Sequence, residues 1–200
     1  MAISGLLLSF FILIHALGNS TTFFGADVFN AYAAHLHSLG GLIYIFEITL
    51  VLIFTVHIVF GILLTLENYQ ARPSRYQAVK NSGGRTPGSR TMIFTGLLIL
   101  LFLFVHLQNF HFTDHSRSIS YIVRDILIQP LFGCFYLLAL GGLGLHISHG
   151  FWSLLQTLGI NHPEYNKFFR GSTLITALLL TGIFVLIPVL ALFWPVFLGG

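Results

Sequence analysis

Charge is what this sequence has least of: 8% of its 200 residues are Asp, Glu, Lys or Arg, against about 25% in an ordinary soluble domain. Water is therefore not its main solvent. Cysteine is nearly absent too, with Cys134 alone. That excludes an internal disulfide, a multi-cysteine zinc site and the Cys-x-x-Cys-His attachment of a c-type haem. The small excess of positive charge, +3, is not gathered into a patch interleaved with aromatics, so no nucleic-acid partner is expected.

The sequence is rich instead in apolar residues, at 56%. Uncharged runs cover 1–26, 28–46, 91–113, 126–163 and 171–200, and Glu47 alone interrupts 40–66. A bilayer crossing needs about 20 apolar residues, so five spans are expected, at about 1–20, 40–66, 91–113, 130–158 and 171–197. The runs are solid rather than alternating, as helices require and barrel strands do not. The expectation is an all-α integral membrane protein, a single domain over 1–200. The first run lacks the basic start and small-residue cleavage site of a signal peptide and is read as a membrane helix. No internal repeat is read from the sequence.

Arg72, Arg75, Lys80, Arg85 and Arg90 lie between the second and third spans, and Lys167 and Arg170 lie before the fifth. On the other side stand Arg117 and Arg124, offset by Asp114 and Asp125. The positive-inside rule places the N-terminus and both basic loops in the cytoplasm and the C-terminus outside. The polar, irregular loop from Asn68 to Ser89 is expected to offer a docking surface for a soluble partner.

Four of the ten histidines, His15, His57, His106 and His146, fall one to a span in the first four spans. An ionisable side chain at that depth is expensive in hydrocarbon; by default it faces the bundle interior and marks a functional path. Helix direction converts position into height. His106 lies about 12 Å from the outer end of its span and His57 about 15 Å from the inner end of its own, at 1.5 Å per residue. His15 is late in an outgoing span, as His106 is; His146 is well down an ingoing one, as His57 is. Two layers result, His15 with His106 near the outer face and His57 with His146 near the inner face, on the order of 10 Å apart. Two imidazoles facing across a bundle core fill both axial positions of a haem iron. Gly5 and Gly96 each precede a histidine of the outer pair by ten residues, and Gly61 and Gly150 each follow one of the inner pair by four. Missing side chains of this kind make room for a flat macrocycle.

The other histidines are assigned structural roles. His35, His37 and His115 fall on the outer side, His162 in the inner loop, and His111 is turned about 140° from His106 towards the outer interface. His149 competes with His146 for the ligand role and is otherwise a hydrogen-bond partner or haem-propionate contact. Glu47 has two open roles: an interfacial residue, or a proton-exchange group for a quinone beside the outer pair, shared with Tyr44 and Asn109.

These residues resemble the di-haem cytochrome b membrane anchor of succinate dehydrogenases and fumarate reductases. The likeness covers nearly the whole chain. It rests on the histidine in each of the first four spans, on Ser4-Gly5 before His15, and on Glu47 leading to His57 and Gly61. Its most specific piece is Leu145-His146-Ile147-Ser148-His149-Gly150-Phe151-Trp152-Ser153, with His146 in the fourth ligand position. The resemblance implies two b haems, a distal one held by His15 and His106 and a proximal one held by His57 and His146. It also implies menaquinone as redox substrate, and a cytoplasmic iron-sulfur subunit and flavoprotein subunit that carry the iron-sulfur clusters and FAD. The chain would sit in a bacterial inner membrane, with no succinate or fumarate site of its own; pairing of whole complexes into dimers stays open. Gly144 stands where some members carry a glutamate of a transmembrane proton route, so that route is not carried over. Two other readings stay open: the b-type subunit of a hydrogenase or formate dehydrogenase, and a histidine-based proton or metal transporter.

Overall fold

A computed structural model describes residues 1–71, 87–114, 116–160 and 162–194. His115, the cationic residues Arg72 to Arg85 and the end of the fifth expected span beyond Trp194 lie outside these residues, as does the side chain of Arg90. Helices account for nearly everything described: α1 (Ala2–Asn19), α2 (Ala26–Ser38), α3 (Gly41–Gln70), α4 (Pro87–Phe110), α5 (Ile119–Leu127), α6 (Pro130–Thr157) and α7 (Asn166–Phe193). Short 3-10 turns extend α1 at Ser20–Phe24 and precede α7 at Pro163–Tyr165. Five of the helices, α1, α3, α4, α6 and α7, are long and apolar enough to cross a membrane. The chain is a multi-pass helical membrane protein.

Span limits differ from the sequence expectation where polar residues continue a helix. The α3 helix runs on through Glu67 and Asn68 to Gln70, and α7 starts at Asn166, so Lys167 and Arg170 lie in its first turns. Helical backbone satisfies its own hydrogen bonds whether or not the side chains favour lipid. The spans end where the backbone turns: Gly40 between α2 and α3 has φ 54° and Gly159 after α6 has φ 71°, a left-handed geometry that glycine adopts without a Cβ clash. Pro130 opens α6 at a position whose N–H would be unpaired in any case.

Two helices were not expected, α2 and α5. Each is too short and too polar to cross a membrane. Both lie at the end of the bundle away from the 71–87 connection; that connection marks what is called here the basic end. The α5 helix is strongly two-sided, burying Ser120, Ile122, Val123 and Leu127, while Arg117 and Asp125 pair at 2.6 Å on its exposed side. With Phe29 of α2, Val123 and Leu127 pack on Tyr136, Ile187 and Ala191, closing that end of the bundle. The backbone N–H of Ser120 donates to Asn30 Oδ1 at 3.1 Å and ties the two caps together.

Packing also exposes a repeat that was not read from the sequence. The order membrane helix, short capping helix, membrane helix occurs twice, as α1–α2–α3 and α4–α5–α6. With the halves superposed on that order, Met1, Gly5, Leu6, Leu7, Phe11 and His15 of α1 meet Met92, Gly96, Leu97, Leu98, Phe102 and His106 of α4. Phe46, His57, Ile58 and Gly61 of α3 meet Phe135, His146, Ile147 and Gly150 of α6. The two halves run in the same direction, unlike the inverted repeats a transporter reading calls for.

The α6 helix is the hub, packing extensively on α4 and α7, and α1 packs on α3, α6 and α7. The α3 helix stands at the margin. Not one of its residues is buried, and its main neighbour is α1.

Candidate haem sites

The four histidines of the membrane helices stand as two pairs. His15 of α1 and His106 of α4 have ring centroids 5.9 Å apart with planes at 84°. His57 of α3 and His146 of α6 have centroids 6.3 Å apart with planes at 65°. These are the pairs the depth argument groups. Each links two helices, α1 with α4 and α3 with α6, whose backbones do not pack extensively on one another, so imidazoles bridge gaps in the bundle.

Those separations are ordinary for rings in edge contact and are also compatible with one metal atom between each pair. A metal–imidazole nitrogen bond is about 2.0 Å, and the ring centre lies roughly 1.1 Å behind the nitrogen, so two trans imidazoles have centres roughly 6 Å apart. Among the described residues no group of three or more His, Cys, Asp or Glu side chains converges as a metal site. Two protein donors per site match an iron whose other four donors belong to a macrocycle.

The surroundings of the two pairs differ. His15 stacks on Phe11 at 5.3 Å and touches Phe184 at 5.5 Å. Phe184 is four residues before Pro188, which has no N–H to donate to the Phe184 carbonyl. His106 lies among Phe102, Phe110 and Tyr136, at 5.4, 5.1 and 6.3 Å. The polar support of this pair is thin. Asn19 Nδ2 reaches the His15 ring at 3.4 Å but donates its shorter bond, 2.8 Å, to the His15 carbonyl. His106 Nδ1 is buried with no hydrogen-bond partner among the described residues.

The second pair has hydroxyls on both rings. Ser4 Oγ of α1 lies 3.1 Å from His57 Nδ1, and Thr95 Oγ1 of α4 lies 3.2 Å from His146 Nδ1. The glycine after each hydroxyl faces the same ring: a Cβ on Gly5 would stand in ordinary contact 3.5 Å from His57 Cε1, and one on Gly96 3.6 Å from His146 Cε1. The spacing argument attached these glycines to the histidines ten residues later on the same helices; the structure sets them against the other pair. Gly61 has only the Met1 side chain nearby, and Gly150 borders open space. Because Ser4 and His15 are eleven residues apart on α1, the two pairs differ in height by about 16 Å. That exceeds the 10 Å inferred from depth alone.

His149 lies one turn beyond His146 on α6, partly buried, and the ring facing His57 is that of His146. Trp152, buried, receives the Arg170 guanidinium over its ring at 4.9 Å, joining α6 to α7 at the basic end. His35, His37 and His162 are exposed.

Glu47 finds a different neighbour from those expected. Its Oε1 lies 3.7 Å from His111 Nδ1, both side chains about half exposed. Asn109 turns away and donates to the Tyr136 hydroxyl at 3.1 Å, and Tyr44 is 65% exposed. His111 was read as merely interfacial, since one sequence gives height but not which helices adjoin.

No family model, curated protein or solved structure matches this chain, so the functional reading rests on its own residues.

Proposed function

We propose that this chain is a two-haem cytochrome b, the membrane anchor of a succinate dehydrogenase or fumarate reductase complex in a bacterial inner membrane. The observation that carries it is the pair of histidine bridges, 5.9 and 6.3 Å between ring centres, stacked along a membrane bundle. His57 and His146 would hold the haem nearer the basic end; His15 and His106 would hold the other. When bound, haem iron supplies one-electron redox chemistry. The chain orients four imidazoles, walls the outer pair with Phe11, Phe102, Phe110 and Phe184, and excludes water from it through the α2 and α5 caps.

The basic end faces the cytoplasm in this reading, by the positive-inside rule, and meets the iron-sulfur and flavoprotein subunits, which hold FAD and the clusters. Electrons pass between the iron-sulfur subunit and menaquinone or menaquinol through the two sites. Succinate and fumarate bind elsewhere in the complex. At the other end, Glu47 and His111 form a carboxylate–imidazole pair fit to take up or release a quinol proton near the His15–His106 pair. Glu47→Gln is expected to slow quinol-dependent haem reduction on the order of 10²-fold while haem content stays unchanged. Unaltered reduction kinetics would remove Glu47 from the proton path.

The primary test is the visible spectrum of the purified protein. Reduced b-type bands with two haems per chain are expected, together with co-purification of a flavoprotein and an iron-sulfur protein. A colourless preparation with bound zinc would overturn the cytochrome in favour of transport, and haem with a hydrogenase or formate dehydrogenase partner would reassign the complex.

A further inference from the structure

Ser4 and Thr95 occupy the same place in the two halves of the chain, one residue before the repeated glycine. Each is buried, 7% and 6% exposed. Each hydroxyl has two kinds of neighbour. Ser4 Oγ donates to the Met1 carbonyl at 3.0 Å; Thr95 Oγ1 donates to the carbonyls of Thr91 and Met92, at 3.0 and 3.1 Å. A hydroxyl has one proton and two lone pairs. With that proton committed to a backbone carbonyl, it faces an imidazole nitrogen as an acceptor. The nitrogen must then carry the hydrogen.

We infer that Ser4 and Thr95 are positioning residues that hold His57 and His146 as Nδ1–H tautomers and so turn both Nε2 lone pairs towards one iron, a role that rests on the haem reading above. Which ring nitrogen binds a metal is set by the hydrogen bond the other makes. Such an outer partner fixes ring orientation and raises ligand basicity, and its loss weakens metal binding by roughly 10–100-fold. The His15–His106 pair shows no such hydroxyl among the described residues: the Asn19 amide lies beside the His15 ring and His106 Nδ1 is unpartnered. The duplicated serine/threonine therefore serves only one of the two sites, although each half of the repeat contributes one ligand to both. Inequivalent outer hydrogen bonding is a recognised lever on haem potential.

The experiment is a redox titration of the purified, haem-loaded protein, wild type against Ser4→Ala, Thr95→Ala and the double variant, with Ser4→Thr and Thr95→Ser as conservative controls. One haem should rise in midpoint potential, because its axial imidazoles become less basic, and should dissociate roughly tenfold faster. The other haem should titrate as in wild type, and the conservative variants should restore both properties. Imidazole 15N shifts should report a hydrogen-bonded Nδ1–H at His57 and His146 in wild type, and an Nδ1–H that has lost its acceptor, shifted accordingly, at the matching ring in each alanine variant. Equal shifts of both haems, or unchanged potentials and unchanged Nδ1 15N shifts, would overturn this role while leaving the cytochrome intact. A colourless wild-type protein would overturn both together.

Discussion

On the two-haem proposal, replacing either His57 or His146 with alanine is expected to halve the haem content, and replacing either His15 or His106 should remove the other haem. Each pair bridges two helices that do not pack extensively on one another. Removing one imidazole would therefore take away one of the two proposed axial donors and leave the ring on the other helix alone. Side chains that act as a unit are non-additive. The double variant His57→Ala with His146→Ala should accordingly lose no more haem than either single change, whereas His57→Ala with His15→Ala should lose both. His149→Ala should retain two haems, since the ring that faces His57 belongs to His146. Extracted haem per chain and the reduced-minus-oxidised spectrum check each case. Loss of a haem in His149→Ala, or loss of the same haem in His15→Ala and His146→Ala, would refute the assignment.

The second large effect is on stability. Gly133 lies in the first turn of α6, where a Cβ would stand 2.9 Å from the Leu127 carbonyl oxygen and from both methyls of Leu192. A leucine methyl can rotate away; a backbone carbonyl at the end of α5 cannot. Alanine gains about 1 kcal/mol over glycine in helix propensity, but overpacking against fixed atoms costs about 1–3 kcal/mol. Gly133→Ala is expected to be destabilising by up to about 2 kcal/mol on that balance, seen as a lower thermal midpoint in detergent and a loosened α5. Gly141 of the same helix has no atom within 4 Å of its would-be Cβ, so Gly141→Ala should be neutral or slightly stabilising. Equal midpoints for the two variants would show that the α5–α6 junction is free to give way.

The sequence by itself determined the solvent, the five membrane helices and which of four histidines share a level. Hydrocarbon thickness and a helix rise of about 1.5 Å per residue turn spacing along the chain into depth. Height alone was enough to sort His15 with His106 and His57 with His146. It could not give azimuth, which is set by how ridges of one helix seat on another. Only the packed structure therefore decided that Gly5 and Gly96 lie against His57 and His146 rather than serving their own helices' histidines. Packing likewise brought Glu47 to His111 and turned Asn109 to Tyr136.

The capping helices were illegible for a related reason. Phe29, Val123 and Leu127 belong to segments too short and polar to register as spans, and their apolar faces have meaning only against α6 and α7. The repeat escaped because its identities are sparse, and become evident only when α4 is laid on α1 and α6 on α3. Ser4 before Gly5 stood in plain view as half of a motif. That its hydroxyl, with Thr95, reaches a histidine on the neighbouring helix is a property of two helices in contact, which no single segment encodes.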